Sequence, residues 1–140
     1  VCLPALHTPT ARVALGQQLI DLAHSAIDIS DGLLADLGHI LSSSNLAAVI
    51  QIETIPHSWV WKRYAAHPQA LEWLLSGGDD YELCFTAPET ERKKIHTLSK
   101  ELATPLTCIG KILQGEGLSI VNSTGTVIEH TKKGYDHFLS

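Results

Sequence analysis

The stretch from residue 25 to residue 41 constrains the fold more than any other part of the chain. Its first apolar residues, Ala26, Ile27 and Ile29, predict a short strand. Apolar residues then recur at helical spacing, at Leu33, Leu34, Leu37, Ile40 and Leu41. The join between them reads Asp28-Ile29-Ser30-Asp31-Gly32. We therefore predict a strand that passes directly into a helix through three oxygen-bearing side chains and a glycine.

Two interpretations of this join are open. The first N–H groups of a helix lack internal partners and favour an anion such as phosphate. Asp28 and Asp31 would repel a bare phosphate, but Mg²⁺ takes one or two carboxylates together with phosphate oxygens and water. The join is thus suited to a magnesium-bound nucleotide. In the simpler interpretation, Ser30 or Asp31 is only the N-cap of the helix, a position that both residue types favour.

A second polar block follows at Gly77-Gly78-Asp79-Asp80-Tyr81-Glu82-Leu83. Its glycine pair predicts a tight turn with positive φ angles, and residues 81–86 predict a strand. Asp79 and Asp80 lie between turn and strand, where such side chains commonly bond to nearby backbone N–H groups.

Together these blocks resemble the C-terminal domain of the thiamine-monophosphate kinases, within the aminoimidazole-ribonucleotide-synthetase-like superfamily. The resemblance runs from about Thr8 to the last residue. It rests on four pieces: the Asp28–Leu33 block, Asp36-Leu37 with His39-Ile40, the Gly77–Leu83 block, and Gly134-Tyr135-Asp136-His137-Phe138. The implied fold is α+β, a mixed β-sheet with packed helices, like the C-terminal domain of aminoimidazole-ribonucleotide synthetase.

The resemblance implies phosphoryl transfer from ATP to thiamine monophosphate, giving thiamine diphosphate and ADP. By this resemblance Asp28 and Asp31 hold Mg²⁺ and Ser30 contacts ATP. Asp79 contacts the thiamine phosphate, directly or through water, and Tyr135 stacks near its cationic rings. No catalytic residue is assigned, because the nucleophile is an already ionised phosphate oxygen.

Periodicity and breakers predict helices at 10–23, beginning at a Thr8 N-cap, and at 32–43 and 89–102. Predicted strands lie near 25–30, 46–52, 81–86 and 105–113 in one mixed sheet, with shorter strands at 118–121 and 126–129. Pro68 divides residues 57–75 into two short helical pieces.

The chain has no methionine and begins at Val1, so we expect it to be a piece of a longer protein. Residues 1–9 would be a linker remnant and residues 10–140 the domain. In the family, a separate N-terminal domain carries the nucleotide pocket, most of the magnesium ligands and the dimer contact. We therefore expect a homodimer for the full-length enzyme and no kinase activity for this chain alone.

Composition excludes some classes of partner. The formal charge of -5 argues against nucleic acid, whose binding relies on clustered Lys and Arg. No apolar run approaches the length of a membrane span and no signal peptide is recognisable, so we expect a cytoplasmic protein. Cys84 and Cys108 lie in apolar runs, which predicts buried free thiols.

Three alternatives remain open. The chain could belong to another enzyme of the superfamily, such as a selenophosphate synthetase, a hydrogenase-maturation protein or a purine-synthesis ligase. It could be a non-catalytic module that binds a phosphorylated metabolite. Finally, it could be an interaction domain that uses its aromatic cluster, namely Trp59, Trp61, Tyr64 and Trp73.

Overall fold

The structure, a computed structural model, describes residues 7–129. Its helices are α1 (Val13–Leu19), α2 (Leu33–Ser44), α3 (Trp59–Tyr64), α4 (Ala70–Ser76) and α5 (Arg92–Glu101). Its strands are β1 (Ser25–Asp28), β2 (Leu46–Gln51), β3 (Leu83–Thr86), β4 (Gly110–Gln114) and β5 (Gly117–Val121). Short 3₁₀ turns span Ile52–Thr54 and Glu89–Glu91.

The strands form two sheets. β1 and β3 pair antiparallel, while β2 lies between β4, antiparallel to it, and β5, parallel to it. The predicted α+β class with a mixed sheet is confirmed, but the prediction that all strands share one sheet is wrong. Helix α2 contacts β1 as well as β2 and β5, so the two sheets meet through this helix rather than edge to edge.

Helix α2 joins the two sheets. Its apolar face is buried against β2, β5 and α4, in a cluster of Leu33, Leu34, Leu37, Ile40, Leu41, Ala48, Ile50, Ile55, Leu75 and Ile120. Ile27 of β1 and Cys84 of β3 pack against the same cluster. The turn that precedes α2 is therefore held from both sides by the core.

A second, smaller cluster fixes α1 and α5. Leu15 and Leu19 of α1 pack with Leu98 of α5, and Leu83 and Phe85 of β3 lie against them. The small sheet thus lies between two apolar clusters, which holds the loops at its ends in place.

Several predicted bounds were too wide. Helix α1 begins after Arg12 rather than at Thr8, since Arg12 has a non-helical backbone conformation (φ -84°, ψ 45°). β4 begins at Gly110 rather than near 105. The residues before β4 bond to a side chain instead of to a strand. Ser99 Oγ accepts the Leu106 N–H and donates to the Thr104 carbonyl. The predicted strand at 126–129 is reduced to a single bridge between Val121 and Val127.

The two described cysteines differ in exposure. Cys84 is partly buried and Cys108 is exposed, so the prediction of a buried thiol is wrong for Cys108, which lies before β4 where the chain is at the surface. Within residues 7–129 every helix is too short or too polar to span a bilayer.

Candidate functional site

The two acidic blocks of the sequence run side by side. β1 ends at Asp28, whose partner on β3 is Leu83, but the pairing continues past both strands. The Ile29 N–H donates to the Glu82 carbonyl at 2.8 Å and the Tyr81 N–H to the Ile29 carbonyl at 2.8 Å. The Asp79 N–H then donates to the Ser30 carbonyl at 2.9 Å. These bonds bring Asp28 through Asp31 and Asp79 through Glu82, far apart in sequence, to one end of the small sheet.

Glycines allow this close approach. A Cβ on Gly78 would lie 2.4 Å from the Ser30 carbonyl oxygen, and one on Gly32 would lie 2.8 Å from the Ser76 backbone. The predicted positive φ at the glycine pair is wrong: the positive φ angles in this block are at Asp79 (64°) and Tyr81 (52°). The pair is required because backbone packs on backbone here, a contact that the sequence pattern alone does not specify.

The turn before α2 is fixed by Asp36, a residue to which the sequence analysis gave no role. Asp36 is 3% exposed, and its Oδ2 accepts the Ser30 N–H at 2.9 Å and the Asp31 N–H at 3.1 Å. The N-cap is Gly32, so the hypothesis that Ser30 or Asp31 caps the helix is wrong. An acidic residue amid the apolar positions of a helix was the available signal.

This arrangement also changes the expected chemistry of the turn. The Ser30 and Asp31 N–H groups are bonded to Asp36 within the protein and are not offered to a phosphate. The functional groups that this segment can present are its side chains: the carboxylates of Asp28 and Asp31 and the hydroxyl of Ser30. Such a segment binds phosphate best through an intervening cation.

Negative charge is concentrated around Tyr81. Its hydroxyl donates to Asp79 Oδ1 at 3.2 Å. That bond, then the charges of Asp79, Asp28 and Asp31, raise the pKa of Tyr81. Desolvation, followed by repulsion from Glu82 and Asp79, raises the pKa of Asp80. A cation bound at this end of the sheet would relieve the mutual repulsion of these carboxylates.

Arg12 balances part of this charge at the edge of the site. Its Nε and Nη2 donate to the two carboxylate oxygens of Glu82 at 2.8 and 2.5 Å. Hydrogen bonding to Glu82 raises the pKa of Arg12. The two-pronged bond joins the start of α1 to the second acidic block, a contact that sequence spacing could not have indicated.

The donor set fits a divalent cation in part. Asp28 and Asp31 supply hard oxygens of the kind that Mg²⁺ prefers. No group of three or more His, Cys, Asp or Glu among residues 7–129 is arranged to hold a metal by itself. Asp28 and Asp31 would therefore supply only part of a coordination sphere, leaving the rest for phosphate oxygens, water or other protein groups. Tyr135 lies outside the described residues.

The aromatic cluster lies on α3 and α4, whose last turn leads into the second acidic block. Trp59, Tyr64 and Trp73 are exposed. The Trp61 Nε1–H donates to the Ala70 carbonyl at 3.3 Å and connects the two helices. These rings therefore lie at the surface rather than in the core.

Comparison with known proteins gives a consistent result. Residues 4–122 match the family model described as AIR synthase related protein, C-terminal domain. The chain is 46% identical over 133 residues to the thiamine-monophosphate kinase of Salmonella typhimurium, covering 94% of this chain and 41% of that protein. The chain thus spans about two fifths of the length of the curated relatives that it matches.

Solved structures agree. The crystal structure of thiamine-monophosphate kinase from Stenotrophomonas maltophilia K279a superposes with a TM-score of 0.79 at 46% identity, covering 84% of this chain and 37% of that one. A structure described as AaThiL complexed with AMPPCP and TMP superposes with a TM-score of 0.76 at 31% identity, covering 97% of this chain and 40% of that one.

Proposed function

The chain belongs to the family of AIR synthase related proteins as their C-terminal domain, and we propose that it is this domain of a thiamine-monophosphate kinase. The full-length protein would transfer a phosphoryl group from ATP to thiamine monophosphate, giving thiamine diphosphate and ADP. The observation that carries the proposal is the backbone pairing of the Asp28–Asp31 segment with the Asp79–Glu82 segment. Relatives named for this activity match over 94% of the chain.

In this proposal the two segments have different tasks. Asp28 and Asp31 would hold Mg²⁺, which neutralises charge on the nucleotide phosphates, and the Ser30 hydroxyl would contact ATP. Asp79 and Tyr135 would contact thiamine monophosphate. The pairing of Ser30 with Asp79 supports this division, since it sets the nucleotide side and the acceptor side next to each other.

Such a reaction depends on positioning and charge neutralisation more than on proton transfer, because the attacking phosphate oxygen is already ionised. The residues of this chain would therefore act by holding the reactants together. Asp28 and Asp31 do so through the metal, and Asp79, fixed by its backbone bond to Ser30, does so at the acceptor.

The remaining parts of the proposal concern the longer protein. Residues 10–140 would follow an N-terminal domain that supplies the nucleotide pocket, with residues 1–9 as the link between them. That domain would also form a homodimer, and the enzyme would be cytoplasmic. A chain that spans 41% of its relatives leaves room for such a domain.

The test is an assay of the full-length protein with ATP, Mg²⁺ and thiamine monophosphate, in which thiamine diphosphate is separated by chromatography and detected as its fluorescent oxidation product. We expect formation of thiamine diphosphate that depends on both ATP and Mg²⁺. A protein that forms no thiamine diphosphate, but turns over ATP with hydrogen selenide or a purine precursor as acceptor, would instead be another enzyme of the superfamily.

A further inference from the structure

The Asp36 side chain points back towards the turn from which its own helix begins. It lies in the first turn of α2 and is 3% exposed, the only buried polar or charged residue among those described. A buried carboxylate is costly unless hydrogen bonds satisfy it. In this structure its Oδ2 accepts two backbone N–H groups, those of Ser30 and Asp31.

Those two donors belong to the segment that carries the proposed nucleotide and metal groups. With the Ser30 N–H tied to Asp36 and the Ser30 carbonyl tied to the Asp79 N–H, the peptide groups on both sides of this residue are held. The Asp31 N–H is held in the same way. The directions in which the Ser30 and Asp31 side chains leave the backbone are therefore constrained by Asp36 Oδ2 and, at Ser30, also by the bond from the Asp79 N–H.

We propose that Asp36 is the positioning residue of the site: its carboxylate holds the Ser30–Asp31 backbone so that the side chains of Asp28, Ser30 and Asp31 converge on one magnesium-bound nucleotide. This inference rests on the proposed function and deepens it. Asp36 itself acts through the turn and touches neither the metal nor the nucleotide. Removing a group that orients metal ligands by hydrogen bonds, without touching the metal itself, typically lowers metal affinity or activity by about 10- to 100-fold.

Two variants of the full-length protein separate positioning from simple stability. Asp36→Ala removes the acceptor, whereas Asp36→Asn keeps an oxygen that can accept both N–H groups while losing the charge. Ile40→Val is the matched control, because it trims the buried face of the same helix without touching the turn. All three variants should lower the melting temperature, so stability alone does not discriminate among them.

Two measurements need no turnover. Hydrogen exchange of peptides covering residues 27–36 reports whether the Ser30 and Asp31 N–H groups are held. Calorimetric titration of AMPPCP at a series of Mg²⁺ concentrations gives the Mg²⁺ concentration at half-saturation. We expect Asp36→Ala to exchange faster in this segment and to need about tenfold more Mg²⁺, with Asp36→Asn close to wild type in both.

The inference fails if folded Asp36→Ala needs no more Mg²⁺ than wild type, or if Ile40→Val raises the requirement equally. It also fails, together with the roles of Asp28 and Asp31, if the wild-type protein binds no magnesium-bound nucleotide. A wild-type protein that binds this nucleotide but does not phosphorylate thiamine monophosphate would contradict the proposed function alone.

Discussion

Asp28 can be substituted to test its role in binding without destabilising the fold. It ends β1 with an exposed side chain, so its carboxylate contributes nothing to the core. Its charge nevertheless reaches the cluster around Tyr81, where it helps to raise the pKa of the phenol. A residue with these properties affects ligand charge more than stability.

Asp28→Asn in the full-length protein should therefore raise the Mg²⁺ requirement of turnover by about tenfold or more, with little change in melting temperature. The amide loses the negative charge that attracts the cation. Steady-state rates against Mg²⁺ concentration give the answer. Asp21→Asn, an exposed acid in the loop after α1, is the control and should behave as wild type. A folded Asp28→Asn with a clearly lower melting temperature and an unchanged Mg²⁺ requirement would mean that Asp28 serves only the turn.

Cys84 gives the small sheet a dependence on pH. Burial, and secondly the charge of Asp36, raises the pKa of this thiol to about 11 from 9.0. A raised thiol pKa means that the folded state retains its proton where the unfolded state has lost it. This contribution to stability is fully present below pH 9 and is lost as the pH rises towards 11.

We expect the free energy of unfolding to fall more steeply for wild type than for Cys84→Ala between pH 9 and pH 11, by about 2–3 kcal/mol over the range. Urea unfolding at stepped pH, followed by circular dichroism, measures the difference. Identical slopes for the two proteins would show that the thiol ionises as readily in the folded state as in the unfolded one.

At the scale of elements, the candidate site is formed where two backbone segments pack directly against each other, a contact that we call the junction. The turn before α2 packs on the segment that follows α4, with glycine at both contacts: Gly32 faces Ser76 and Gly78 faces Ser30. Helix α2 anchors one side in the main core, and Arg12 joins α1 to the other side through Glu82. The distance between the Asp28–Asp31 segment and the Asp79–Glu82 segment is thus fixed by element packing.

Gly78→Ala should disrupt that junction. Its Cβ would fall 2.4 Å from the Ser30 carbonyl oxygen, forcing the two segments apart at a cost of about 1–3 kcal/mol, and turnover should fall with it. Gly38→Ala is the matched control: it lies inside α2 with nothing within 4 Å of the added Cβ. It should stabilise the protein by about 0.5–1 kcal/mol and leave turnover unchanged. Denaturant unfolding and kinase assays of both variants check this. Equal activity in the two variants would contradict the view that close backbone packing at Gly78 is needed for turnover.

For the whole molecule, the relevant feature is the small number of candidate metal ligands among residues 7–129. The described residues supply Asp28 and Asp31 as candidate ligands but no group of three, and the chain spans 41% of the relatives it matches. A phosphoryl donor held by this chain alone would keep much of its phosphate charge unneutralised.

We therefore expect the isolated chain to release no ADP above background when ATP, Mg²⁺ and thiamine monophosphate are supplied, in an assay coupled to NADH oxidation. Addition of a separately produced N-terminal domain should restore turnover if the two associate. ADP release by the chain alone, which depends on thiamine monophosphate, would show that the site is complete without that domain.

Local pattern was enough to predict α2, the two short helices around Pro68, and the division of the acidic residues into two blocks. These features follow from helical periodicity and from proline and glycine chemistry, which act over a few residues. The family resemblance and the choice of Asp28, Ser30, Asp31 and Asp79 as candidates came from the same short blocks. The roles of these residues in binding remain predictions.

Only the tertiary structure decided how the blocks meet. The separation of β1 and β3 from the β2 sheet, the bond from Arg12 to Glu82 and the burial of Asp36 each join residues through space. The glycine pair proved to serve backbone contact rather than positive φ. Hydrogen bonds between distant segments and the volume available to a Cβ depend on the packed core, and local spacing carries no information on either.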